Sequence, residues 1–166
     1  MNKEQQIKEW FENNKNILLE RARSKTFLEI FLEENYINEL YGLLCKVINQ
    51  YSWGCMNFIK KNNVYHLMVF ILIIQDRSFN KSFTDVYSIL EDTLIKKNRD
   101  YGSSFDKSVN KFGWVYVAIE LDKKKNRLHS LLKNKEKPNY ESIEDTLLDI
   151  AGYCVLSLIY LENKGA

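Results

Sequence analysis

Between Asp149 and Glu162 the chain carries no charged residue; only Ile, Ala, Gly, Tyr, Cys, Val, Leu and one Ser fill the interval. Turned at 100° per residue, Ile143, Leu147, Ile150, Cys154, Leu158 and Leu161 fall on one side of a helix, which is an ordinary core face. The opposite side begins with Glu141, Asp145 and Asp149, each four residues from the next, and continues as Gly152, Leu156 and Ile159. A surface helix keeps its outer face polar, whereas this one turns apolar after two turns. Its C-terminal half should therefore be buried on both sides, at a cleft or a subunit interface. The three acids then stand at the mouth of a buried region, where Gly152 permits close backbone approach.

The rest of the chain fits a helical setting. One proline and six glycines in 166 residues favour long helices over a turn-rich β fold. Apolar spacing predicts a helix over Lys3–Ala22, then a break at Ser24-Lys25-Thr26. A second helical region follows from Phe27 to about Tyr51, with an interruption near Asn35. Ser52-Trp53-Gly54 reads as a turn, Cys55–Lys60 as a short helix, and Asn62-Asn63 as another break. Val64 to Gln75 is rich in β-branched and aromatic residues, as a strand would be, but its length favours a buried helix. Asp76 to Asn80 reads as a loop. Ser82 with Asp85 forms a capping-box variant opening a helix to about Asn98, stopped by Gly102. A short segment, Ser103–Phe112, ends at Gly113. Trp114–Lys133 is a long helix, Asn134–Tyr140 with Pro138 a linker, and Glu141 to about Asn163 the closing helix. One all-α multi-helix bundle over residues 1–166 is expected, with 1–79 a helical region of unknown role and 80–166 carrying the chemistry.

A net charge of +2 is too small to drive direct nucleic-acid binding by bulk electrostatics. Cys45, Cys55 and Cys154 are odd in number and widely spaced, which argues against a disulfide framework or a Cys-rich zinc site and reads as buried or partly buried thiols. The opening Met-Asn-Lys-Glu-Gln-Gln lacks an apolar signal region, and the run Val64–Ile74 is too short to span a bilayer; a soluble cytoplasmic protein is expected. His66 reads as a satisfied core histidine and His129 as an exposed one. Three carboxylates in a stripe disfavour an isolated helix. At the edge of a buried region they need a cation: Mg2+ or Mn2+, which suit oxygen-only ligands, or Lys123, Lys124 and Arg127 of the preceding helix. On that helix Glu120, Lys124 and Arg127 share one side.

Three phrases carry a family resemblance: Lys97-Asn98-Arg99-Asp100-Tyr101-Gly102, the helix around Leu121-Asp122-Lys123-Lys124-Lys125-Asn126-Arg127-Leu128, and Glu141-Ser142-Ile143-Glu144-Asp145-Thr146-Leu147-Leu148-Asp149. Together, over about Leu90–Leu161, they resemble the nucleotide modification associated family of phages and bacteria. That family is similar in turn to the MazG-type all-α nucleoside triphosphate pyrophosphohydrolases. The resemblance implies MazG-like helices in the C-terminal half, with an added helical N-terminal region. It also implies Mg2+ (or Mn2+) held by Glu120, Glu141, Asp145 and Asp149, and Glu120, Glu141 and Asp145 as the catalytic acids. Lys97, Lys124 and Arg127 would neutralise phosphate, and Asp100 and Tyr101 would shape the nucleotide pocket. The implied activity is metal-dependent hydrolysis of a nucleoside triphosphate or modified nucleotide to monophosphate and pyrophosphate. The partners implied are a nucleotide or nucleotide-derived small molecule and further copies of the chain, in a bacterial host cell or a phage within it. The sequence departs from the MazG pattern: Lys123 stands where a second acid would follow Glu120, and the last helix spaces its acids by four rather than three. The alternative is non-catalytic sequestration of a nucleotide or nucleotide-derived signal, as in a phage counter-defence protein.

Overall fold

The computed structural model describes residues 1–24, 36–53, 59–134 and 142–164. The expected helix start at Phe27, the interruption near Asn35, Cys55, the linker around Pro138, and Glu141 lie outside these residues. The described residues form seven helices and no strand, an all-α bundle: α1 (Lys3–Ala22), α2 (Tyr36–Ser52), α3 (Lys61–Phe79), α4 (Phe83–Tyr101), α5 (Ser104–Phe112), α6 (Val115–Lys133) and α7 (Ile143–Asn163).

The two most extensively buried of the described helices, α3 and α7, pack on each other at the centre. In α3 every residue from Leu67 to Gln75 is buried. Its aliphatic and aromatic side chains contribute about 2 kcal/mol each, an upper figure for an extended unfolded chain. Around this pair, α2 packs on α3 and α6, while α1 packs on α3, α4 and α7. The apolar half of α7 is thus covered by α1, α3, α4 and α6 of its own chain, so its all-round apolarity needs no subunit interface. No described helix is long and apolar enough to cross a membrane.

Several expected breaks are helical. Asn62 and Asn63 lie in the first turn of α3, where their side chains are used: Asn62 accepts from Arg21 at 2.9 Å, and Asn63 donates to Gln50 at 2.8 Å. Ile59 and Lys60, expected to be helical, are not. The segment Asp76–Phe79 continues α3, because its polar side chains project from the last turn into solvent. Asn80 then ends the helix with φ 55°, a left-handed conformation that asparagine tolerates. Ser82 caps α4 by accepting from the Asp85 amide at 3.2 Å, as its spacing predicts. Cys154 is buried as expected, but Cys45 is exposed.

The N-terminal helix is held at both levels. Asn2 caps it, accepting from the Gln5 amide at 2.9 Å. Ile7, Trp10, Phe11 and Leu18 form its buried face, and the Tyr87 hydroxyl of α4 donates to the Phe11 carbonyl at 2.7 Å.

Candidate functional site

Helix α4 ends where the chain turns sharply at Gly102. Its φ of 62° with ψ of −157° is open to glycine and strained for other residues. The turn carries Ser103 and Ser104 straight into α5. The Ser103 side chain makes no capping bond, so the first amides of α5 are left without one. Between this turn, the second half of α4 and the middle of α7 lies a cavity of about 290 Å3.

Its floor is apolar. Leu90 and Leu94 of α4 face Leu148, Gly152 and Leu156 of α7. Gly152 is buried, and a β-carbon there would stand 3.2 Å from Leu94 Cδ2, so the missing side chain allows α4 and α7 to approach. One wall is aromatic, with Phe105 against Tyr116 and Tyr153 at centroid distances of 6.4 and 6.3 Å. Tyr101 stands at the mouth, largely exposed.

The rim is ionic. Asp149 is half-buried and accepts from two ammonium groups, Lys97 at 2.5 Å and Lys124 at 2.6 Å. Burial alone would raise the Asp149 carboxyl, but the hydrogen bonds and charges of Lys124 and Lys97 outweigh it and hold the group below the usual carboxylate range. On α6, Tyr116, Glu120 and Lys124 follow one another at four-residue spacing, facing Asp149 and Tyr153 of α7. Glu120 is paired with Lys123 at 2.7 Å and lies 3.4 Å from the Tyr153 hydroxyl. Burial first, then Tyr116, Glu120 and Asp149, keep that phenol protonated well above its ordinary range.

The expected site residues therefore divide. Lys97, Tyr101 and Asp149 line the cavity, Lys124 reaches it through Asp149, and Glu120 reaches it through Tyr153. Asp145 is elsewhere employed. Ser142 is the N-cap of α7, its hydroxyl accepting from the Asp145 amide at 3.0 Å, while the Asp145 carboxylate accepts from the Ser142 amide at 3.2 Å. This reciprocal pair closes the helix start. Asp100 and Arg127 do not line the cavity, and Glu141 lies outside the described residues. Among the described residues no three potential metal ligands converge. Glu120 and Asp149 are the two expected ligands that act on a common group, Tyr153. Sequence reasoning passed over Lys3, Ser103, Ser104, Tyr116 and Tyr153, all of which line the cavity. The four-residue spacing of Tyr116 with Glu120, and of Asp149 with Tyr153, was a usable signal; nothing local marks Lys3.

Residues 97–161 match the family model described as Nucleotide modification associated domain 1. The match opens on Lys97 at the cavity rim, closes near the end of α7, and bears out the resemblance to the nucleotide modification associated family over that segment. The match is to this family alone, and it stops short of α1, α2 and α3. No curated protein and no solved structure matches the chain.

Proposed function

We propose that the nucleotide modification associated segment uses this cavity to bind a nucleotide or nucleotide-derived small molecule. The observation that carries the reading is the convergence of Lys97 and Lys124 on one half-buried carboxylate at the rim of an aromatic and apolar cavity. Asp149 holds the two ammonium groups together when the cavity holds no ligand, and a phosphate group entering from the rim would share them. Charge-assisted contacts of this kind are about twice as strong as neutral ones. The apolar floor and the Tyr101, Tyr116 and Tyr153 rings would receive the nucleoside, as bases stack on aromatic faces. A cavity of this size is at the small end of ligand sites, which run from about 300 Å3 upward.

Calorimetric titration of the full chain with canonical and modified nucleoside mono- and triphosphates tests the reading. Binding is expected to weaken roughly tenfold in Lys97→Met and in Lys124→Met, the loss of one charge-assisted contact. Failure of every nucleotide to bind the wild-type chain would sink it.

The placement of Glu120 and Asp149 favours a second reading, hydrolysis of the bound nucleotide with Mg2+ or Mn2+. Two carboxylates beside a phosphate site fit Mg2+, which keeps several waters and takes one or two protein carboxylates. Glu120 and Asp149 would hold it. Asp145 could join only by giving up its capping bonds. When bound, the ion would neutralise phosphoryl oxygens and acidify a water. Lys97 and Lys124 would orient the phosphates, and Tyr153, kept protonated, could donate a hydrogen bond to a phosphate oxygen. Pyrophosphate release that needs divalent metal and is lost in Asp149→Ala and Glu120→Ala would establish this reading over sequestration.

A further inference from the structure

The cavity has one lining residue from the N-terminal helix. Lys3 lies outside the matched segment, far from the rest of the site in sequence, and is buried to 7% exposure. It is the only buried lysine or arginine among the described residues. Its ammonium donates to both carboxylate oxygens of Asp106, at 2.8 and 3.0 Å. Asp106 sits in the first turn of α5, directly after the Ser103-Ser104 turn that walls the cavity. The next residue of α1, Glu4, takes Arg99 of α4 through two contacts at 2.7 and 3.0 Å. Two ion pairs thus tie the start of α1 across the α4–α5 turn, and one of the two cationic residues, Lys3, also lines the cavity.

A buried ammonium is costly unless it is fully paired. An ammonium has three donor positions, and among the described residues Lys3 pairs with Asp106, which is itself partly exposed. An anion entering the cavity would complete the pairing of Lys3 without displacing Asp106. Ser103 and Ser104 also line the cavity, together with the tyrosines and leucines. The lining therefore joins a buried cation and two serines to apolar and aromatic surface.

Resting on the nucleotide reading above, we infer that Lys3 is a specificity-determining residue of this cavity, reading a phosphate of a bound mononucleotide, so that α1 is part of the site. The ligand class is a nucleoside monophosphate, its base against the apolar and aromatic lining and its phosphate shared between Lys3 and the rim lysines.

The test compares ribo- and deoxyribonucleoside 5′-monophosphates with their parent nucleosides, titrated into the full chain. The wild-type protein should prefer the monophosphate. In Lys3→Met that preference should shrink roughly tenfold, while nucleoside affinity stays within about twofold, since only a charged contact to phosphate is removed. Lys3→Arg should keep most of the preference, and Asp106→Asn, which frees the ammonium, should keep or increase it. Thermal melts of each variant separate this from unfolding. Equal weakening of nucleoside and monophosphate in Lys3→Met would mean that Lys3 only holds α1 in place, and would overturn the inference. An unchanged preference would overturn it too, with the cavity reading intact. A wild-type chain that binds neither ligand would instead defeat the cavity reading itself.

Discussion

Asp149→Asn separates the roles open to the rim. The substitution keeps the shape of the side chain and removes the charge that holds Lys97 at 2.5 Å and Lys124 at 2.6 Å. A phosphate sharing those ammonium groups would lie about 5–6 Å from the carboxylate, two charge-assisted contacts end to end. At that distance two unit negative charges repel by about 3 kcal/mol at an effective dielectric of 20 and by about 0.7 kcal/mol in water. The Lys97 side chain is 49% exposed, which places the rim towards the wet end of that range. Relief of about 1–1.5 kcal/mol corresponds to roughly tenfold tighter binding of a nucleoside monophosphate. The effect on folding should be small, because partly exposed ion pairs contribute about 0–1 kcal/mol each. Its sign is fixed by linkage. The folded carboxyl is depressed, so its contribution is present above the ordinary carboxylate pKa and lost as pH falls through the folded value. Wild-type and variant stabilities should therefore converge in acid. Calorimetry at low and high salt is the assay, and the gain should diminish as salt rises. Unchanged or weaker binding in Asp149→Asn would refute the reasoning, since it would mean that the lysines do not take phosphate or that the carboxylate itself serves the ligand, as a metal ligand would.

Other expectations follow from the same geometry. Ser142→Ala should destabilise the chain by about 1 kcal/mol in urea, the usual cost of a lost cap. It should leave nucleotide affinity untouched, because the cap is not part of the cavity. Gly152→Val should cost about 1–3 kcal/mol through overpacking against Leu94 and should also abolish binding by filling the floor, as read by denaturation and calorimetry. Glu4 should titrate near 2 in the folded chain, held down by its hydrogen bonds to Arg99 and Lys8. Its contribution to stability is then complete above the ordinary carboxylate range and lost as pH falls towards 2. Carboxyl NMR titration should find this value in the wild type and a rise towards 4.5 in Arg99→Gln.

The all-α fold was legible because its strongest signals are periodic and long. The apolar half of α7 required cover on every side, and α3, α1, α4 and α6 supply it. Glycine punctuation was equally direct at Gly102 and Gly113, both with positive φ. The misread boundaries share a physical cause. Asn62-Asn63 and Asp76–Asn80 are weak helix formers in isolation, but each flanks the continuously buried run Leu67–Gln75 of α3. Its packing extends helical structure by a turn at both ends, and Gln50, Arg21 and solvent satisfy the polar side chains.

The site was half legible for a different reason. Four-residue spacing places Asp145 and Asp149 on one stripe, yet it cannot tell a first-turn carboxylate from one in the second turn. Ser142-x-x-Asp145 repeats the pattern Ser82-x-x-Asp85, which reads correctly as a helix start at α4. Applied to both places, that rule removes Asp145 from the stripe and commits its carboxylate to the Ser142 amide and hydroxyl. Asp149, one turn further on, has no orphan amide to serve and so is available to lysines, to a metal or to both in turn. What remained invisible is Lys3. Its place beside the cavity depends on how α1 docks on α4 and α5, and that docking is set by Glu4–Arg99 and Lys3–Asp106 pairs that no local pattern announces. The segment with the recognisable family pattern therefore builds the cavity, while the segment without one closes it and adds its most buried charge.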